Sequence, residues 1–311
     1  MKIFLMKIGD APPWHDAFLR LTEFAARDSV KAHDLVDIAD EAEIIFAVVN
    51  DYNKYLRLSP PRNFVAYASF DLGFPWTRGI FPSIEIQNYD SRFARSGPYL
   101  LNTSAYSAGD LSTTRELLYS FAGSPHTHSI RRQLLTLTHP QAIVVDTSSD
   151  PAYLSNQKQS VYDQFKSSYS SLLLKSLSVL CPRGNGTGSM RLFETMEAGA
   201  VPVIVSDDWV PPLGLEWDTF SLRIREDEIA SIPSVVEARR LDLPAMGKMA
   251  RQAWEQAFAP DRIFNWLMNQ AEELIDNSSA SFAWWRARQI LRPRNLRRMA
   301  PMLVNSRRSA D

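Results

Sequence analysis

The chain has 311 residues, 45% of them apolar, with 34 basic and 35 acidic side chains and a formal net charge of −1. That length is enough for two domains with separate cores, and the even charge balance gives no reason to expect nucleic acid as a partner of the whole molecule. A single cysteine, Cys181, excludes an internal disulfide framework and suits a reducing compartment.

Apolar periodicity gives the elements in chain order. Lys2 to Ile8 reads as a strand, too short and too interrupted for a signal peptide. Trp14 to Arg27 reads as an amphipathic helix, and Glu43 to Val49 and Asn63 to Ser69 as strands. Gly97-Pro98 and Ala108-Gly109 punctuate a loop-rich stretch, and a domain break is expected near residue 110. Strands follow at Glu116 to Phe121, Ala142 to Asp146, Ser178 to Leu180 and Val201 to Val205. Helices fit between them, at about Ile130 to Leu137, Asp163 to Lys175 and Met190 to Ala198. Strands separated by helices imply parallel sheets with crossover helices. The expected fold class is therefore α/β, with two Rossmann-like domains. No stretch approaches the roughly 20 apolar residues that cross a membrane, so the expected location is cytoplasmic.

The segment from Ser178 to Trp209 carries the chemistry. An apolar strand runs into Gly184, Gly186 and Gly188, a helix starts after Ser189, and a second apolar strand ends on Ser206-Asp207-Asp208. Glycines let backbone N–H groups approach an anion, and a helix N-terminus favours one through its dipole. The loop lacks the lysine of a Walker A motif, and its glycine spacing does not match a dinucleotide fingerprint. Arg183 and Arg191 supply two planar cations suited to a diphosphate, and Glu194 lies on the same helical face as Arg191, placed for a ribose or sugar hydroxyl pair. Taken singly, the loop is equally an ordinary strand-to-helix connection, and Arg191 with Glu194 an exposed ion pair.

Cys181-Pro182-Arg183-Gly184, Ser189-x-Arg191-x-x-Glu194, Ala198-Gly199-x-Val201-Pro202-Val203-Ile204 and Ser206-Asp207 resemble, in order and spacing, the signature of exostosin-type glycosyltransferases, glycosyltransferase family 47. Asp40 to Phe46, Leu117 to Gly123 followed by Arg131 or Arg132, and Trp217-Asp218-x-Phe220-Ser221 are also similar to family segments. The resemblance covers roughly residues 40 to 275. It implies a GT-B arrangement, with the acceptor on an N-terminal domain (1–110) and the nucleotide-sugar on a C-terminal domain (111–258). A closing helix (259–280) returns toward the first domain, and a basic tail (281–311) follows. Gly123, Arg183, Gly184, Ser189, Arg191, Glu194 and Asp207 are the expected donor-binding residues. Animal and plant members usually carry a membrane anchor, so this chain is expected to be a bacterial-type form.

Sugar transfer needs the leaving diphosphate stabilised and the acceptor hydroxyl deprotonated. No Asp-x-Asp pair is present, and adjacent Asp207 and Asp208 point apart on extended backbone, so no metal or other cofactor is expected. Arginines and the helix dipole take the metal's place. The resemblance implies inversion, which calls for a carboxylate base. Asp71, just past a strand of the first domain, is the candidate; Asp10 and Asp51 are rivals, and a turn-forming role for Asp71 is as well supported. His126 and His128 read as a solvated loop or as donor contacts. Cys181 reads as a small buried residue rather than a reactive thiol.

The last thirty or so residues combine Trp284, Trp285, Ile290 and Leu291 with arginines and only one acid, Asp311. Contact with an anionic membrane surface, packing through the tryptophans, and a solvated tail are all compatible with that composition. The expected function is transfer from a nucleotide diphosphate-sugar, a UDP-sugar above all, to a glycan or lipid-linked glycan in polysaccharide biosynthesis. A catalytically silent sugar-nucleotide or glycan-binding protein on the same fold is the alternative, with a glycoside hydrolase or phosphorylase behind it.

Overall fold

The computed structural model describes residues 1–12, 16–68, 71, 75–100, 106, 109–149, 159–276, 282–293 and 295–296. The chain forms two compact units. The first comprises Met1–Asn102, Trp209–Leu213 and Pro260–Asp311, and the second Thr103–Asp208 and Gly214–Ala259. The break falls ahead of the position expected near 110 because Tyr106 is buried in the second unit, among Tyr169, Leu173 and Val179. Residues 209–213 leave the stretch expected to be continuous because Val210 is buried with Ile45, Phe64 and Ile84 of the first unit.

The first unit starts with β1 (Lys2–Ile8), α1 (Ala17–Arg27), β2 (Asp34–Leu35), β3 (Ile44–Val49), α2 (Tyr52–Leu56), β4 (Phe64–Ala68), β5 (Gly79–Ile80) and β6 (Ala94–Arg95). Among the described residues its six strands are all parallel in the order β2-β1-β3-β4-β5-β6. Strands β3 and β4 are buried along their whole length, which is why they read as unbroken apolar runs. Helix α1 starts where the Asp16 carboxylate accepts hydrogen bonds from the Phe18 and Leu19 amides, and it buries Ala17, Leu21 and Phe24. Trp14 and His15, the expected start of that helix, and Ser69, the expected end of the fourth strand, lie outside the described residues.

The second unit contains β7 (Leu117–Gly123), α3 (Ser129–Leu134), β8 (Ala142–Asp146), α4 (Gln159–Lys175), β9 (Ser176–Pro182), α5 (Met190–Glu197), β10 (Val201–Val205), α6 (Trp217–Phe220), β11 (Leu222–Arg223), α7 (Ile232–Ala238) and α8 (Leu243–Ala257). Among the described residues its five strands are parallel in the order β11-β10-β9-β7-β8. Strand β9 is longer than its apolar run suggested. Ser176 and Ser178 are fully buried but satisfied, Ser176 Oγ bonding Ser120 Oγ at 2.7 Å and Ser178 Oγ donating to Leu118 O at 2.8 Å. Gly199 ends α5 at φ +68°, and an added Cβ on Gly247 would stand 2.5 Å from Gly199 O, so two glycines set the approach of α5 and α8.

The chain then returns to the first unit with α9 (Ile263–Asp276) and α10 (Phe282–Ile290). Helix α9 buries Ile263, Phe264, Leu267, Met268, Ala271 and Leu274 in the core that holds Ile3, Phe46, Val48 and Val65. In α10, Trp285 is buried against Phe93 with ring centroids 5.0 Å apart, so the tail begins as an ordered part of the first unit; residues 297–311 lie outside the described residues. Among the described residues no helix is long and apolar enough to cross a membrane.

Candidate functional site

In the second unit the chain leaves β7 for β8 on one side and reaches β9 on the other, so the strand order reverses between β7 and β9. Ligands of open parallel sheets bind outside the carboxyl ends of the strands at such a switch point. There β7 ends at Gly123, β9 ends at Pro182 and runs into Arg183-Gly184, and α5 begins after Ser189. Gly123, Arg183, Gly184, Ser189, Arg191 and Glu194 all stand at this edge of one unit.

Arg191, on the first turn of α5, lays its guanidinium across the end of β7. It donates to Ala122 O and stacks on Phe121 with its Cζ 4.9 Å from the ring centroid. An added Cβ at Gly123 would lie 3.1 Å from Arg191 Nη2, and so the glycine leaves room for the cation. Arg183 is buried, with Nη1 3.5 Å from Glu226 Oε1 and 3.8 Å from Asp208 Oδ2. Its Nε is enclosed and has no hydrogen-bond partner among the described residues. Both carboxylates balance its charge from beyond ordinary hydrogen-bond length, which leaves donors for a closer anion.

Arg131 from α3 braces the crevice. Its Nε donates to Arg183 O at 2.8 Å, and its terminal nitrogens reach Ser124 O and Pro182 O, both at 3.4 Å, tying the loop after β7 to the end of β9. A Cβ on Gly184 would meet Arg131 Nη2 at 3.4 Å and Thr127 Oγ1 at 3.5 Å, so glycine keeps that wall open. Ser189 is the N-cap of α5 in extended conformation, yet its hydroxyl makes no capping bond. Glu194, one turn beyond Arg191, is buried and accepts a hydrogen bond from Tyr169 Oη at 2.6 Å. Burial, and then the Glu194 charge, hold the Tyr169 phenol well above its usual pKa, so it stays a donor. Burial pushes the Cys181 thiol up to about 12, which makes it an inert core group.

Asp207 stands at the rim, exposed. Its Oδ1 accepts from Glu226 N at 3.0 Å while its own amide donates to Glu226 Oε1 at 3.1 Å, so this carboxylate closes a loop. Asp208 turns to Arg183 instead, and the adjacent acids take separate partners. His128 caps α3, accepting from the Ile130 amide at 3.4 Å. Burial, then the Arg183 charge, lower its pKa; Glu226 opposes them and Arg131 adds to them, so the imidazole is held neutral. His126 is exposed.

In the first unit Asp71 is exposed beyond β4, and its Oδ1 accepts from Tyr99 Oη at 3.0 Å; that hydroxyl also bonds Ser83 Oγ. Residues 72–74, the rest of the expected turn, lie outside the described residues. Asp51 caps α2 by accepting from Lys54 N at 3.0 Å, and its Cβ lies 2.3 Å from where a side chain on Gly9 would start. Asp10 is exposed after β1.

Arg131, Tyr169 and Glu226 belong to the site but were not read as donor residues. The sequence signal for Arg131 is its place after the β7 glycine, Tyr169 lies within the expected helix from Asp163 to Lys175 with nothing to mark it, and Glu226 falls in the charged run Arg225-Glu226-Asp227-Glu228.

A parallel sheet with arginines fixed at its strand-order reversal is the setting in which open α/β folds hold phosphate groups. The model of the Exostosin GT47 domain matches residues 81–239, and the chain belongs to that family of glycosyltransferases. It is 28% identical over 158 residues to an Exostosin-1 homolog of Caenorhabditis elegans, covering 46% of this chain and 41% of that protein. To the probable glucuronosyltransferase GUT1 of Oryza sativa subsp. japonica it is 28% identical over 174 residues, covering 46% and 42%. The chain thus spans less than half the length of these relatives. It also aligns with Anabaena HepE in complex with UDP-glucose, at 12% identity and TM-score 0.43, covering 89% of this chain and all of that one. With Acinetobacter baumannii MurG the values are 10% and 0.38, over 86% and 99%.

Proposed function

We propose that the chain transfers a hexosyl or glycuronosyl group from a UDP-sugar held by the second unit to a glycan or lipid-linked glycan held by the first, at the cytoplasmic face of a membrane, in polysaccharide biosynthesis. The observation that carries this reading is the Arg191 guanidinium fixed across the end of β7, beside buried Arg183 and the start of α5. Two anchored guanidiniums and a helix N-terminus compensate the charge of a leaving diphosphate without reorganising, so the transfer runs without a metal or other cofactor. Glu194, oriented by Tyr169, accepts from the ribose hydroxyls, and Ser189 and the Gly184 backbone line the phosphates. Asp207 stands at the sugar edge.

The transfer inverts the anomeric centre. Asp71 takes the proton of the acceptor hydroxyl as its oxygen bonds the anomeric carbon, and the bond to the β-phosphate oxygen breaks on the opposite face. Tyr99 holds the carboxylate in place. Thermal shift with UDP and a panel of UDP-sugars tests the donor half, and UDP release on adding acceptor tests transfer. Stabilisation by UDP, turnover undiminished by a chelator, and a product of inverted configuration are expected. No shift with any nucleotide or nucleotide-sugar would refute the reading, and a shift without turnover on any acceptor would favour a binding protein.

A further inference from the structure

Helix α10 has two working faces. Inward, Trp285 and Gln289 are buried, and Phe282 packs beside Phe93 with ring centroids 5.4 Å apart. Past its end, Asn295 Nδ2 donates to Gln289 O at 2.8 Å and Asn88 Oδ1 at 3.0 Å. A helix pinned this firmly would ordinarily turn polar residues to water. Its outward side instead presents Ala283, Trp284, Ala287 and Leu291, with Trp284 66% and Leu291 71% exposed. Arginines flank this stripe. Arg288 stacks on Trp284 with its Cζ 5.6 Å from the ring centroid, and Arg286 lies 5.0 Å from the Trp76 ring on the other flank.

A second observation points the same way. Arg78 and Arg286 share the Phe282 ring, at 5.1 and 5.9 Å, and Arg78 Nε is buried with no hydrogen-bond partner among the described residues. Burial, and then the Arg62 charge, lower the pKa of Arg78. Residues 282–310 contain eight arginines and no acid. Exposed tryptophan and leucine edged by guanidiniums that form no ion pair among the described residues match the layering of a bilayer surface: indole at headgroup depth, alkyl groups just below, cations at the phosphates.

We infer that the outward face of α10, with Arg78 and Arg286 beside it, docks the chain on an anionic membrane. This rests on the proposed function only for the idea that the acceptor is carried at a membrane; docking itself needs no turnover. Co-sedimentation of the full chain with phosphatidylglycerol-rich vesicles, against pure phosphatidylcholine, tests it. Binding to the anionic vesicles alone, released by salt, is expected. Arg288→Ala should weaken partitioning about fivefold, and Trp284→Ala combined with Leu291→Ala about tenfold or more, with the thermal shift by UDP unchanged in both. Absence of binding to the anionic vesicles, equal binding by the variants, or retention on DNA in place of vesicles would each overturn the inference, and none of them would touch the donor site.

Discussion

Tyr169 and Glu194 form a buried phenol–carboxylate pair, Oη to Oε2 2.6 Å, between the middle of α4 and the second turn of α5. A hydrogen bond to a charged acceptor in such a place contributes about 1.5–3 kcal/mol. Tyr169→Phe should lower stability by about that amount and weaken UDP binding further by releasing the carboxylate from its orientation. Chemical denaturation with and without UDP separates the two effects; a loss of stability with unchanged UDP affinity would show that Tyr169 has no part in the donor site.

Arg191→Ala should cost about 1.5–3 kcal/mol of UDP binding, roughly a tenfold to hundredfold rise in Kd measured by calorimetry. Turnover should fall at least as far, since the charge it meets grows as the diphosphate leaves. Uridine, which has no phosphate, should bind the variant and the parent alike.

Gly184→Ala and Gly9→Ala should behave in opposite ways. At Gly184 a methyl group meets only van der Waals contacts at 3.4 Å and beyond, so the fold should persist while UDP affinity drops. At Gly9 the backbone has φ +83° and the methyl would stand 2.3 Å from Asp51 Cβ, so about 2 kcal/mol or more of stability should be lost. Melting curves and UDP titrations of the two variants check the contrast.

Asp16 gives a pH dependence. Burial raises its pKa, but the Lys7 hydrogen bond at 2.6 Å, the Leu19 amide, the Lys7 charge and the Phe18 amide together bring it below the usual value. A depressed carboxyl pKa contributes stability above the unfolded-state pKa and loses it as pH falls through the folded one. Asp16→Ala should therefore cost about 1 kcal/mol at pH 7, mostly as a lost helix cap. The gap between variant and parent should narrow as pH falls below 4, as urea denaturation at several pH values would show.

The second unit was legible because β7 to β10 are apolar runs separated by crossover helices, and only buried serines disguised the start of β9. In the first unit β2, β5 and β6 are two residues each, too short to leave a period, and they exist because β1 offers an edge to β2, β4 to β5 and β5 in turn to β6. Within the site, residues 183 to 194 could be read because they are contiguous and their types match anion chemistry. Arg131, Tyr169 and Glu226 could not, because folding alone brings them from distant segments to Arg183 and Glu194.

The first unit is assembled from three separate stretches of chain, the last beginning at Pro260. During synthesis, then, the second unit emerges complete while the sheet begun by residues 2–95 still shows the bare face that Leu267, Met268 and Leu274 will cover. The half of the protein made first therefore cannot close its core until the helix that begins at Ile263 has been made.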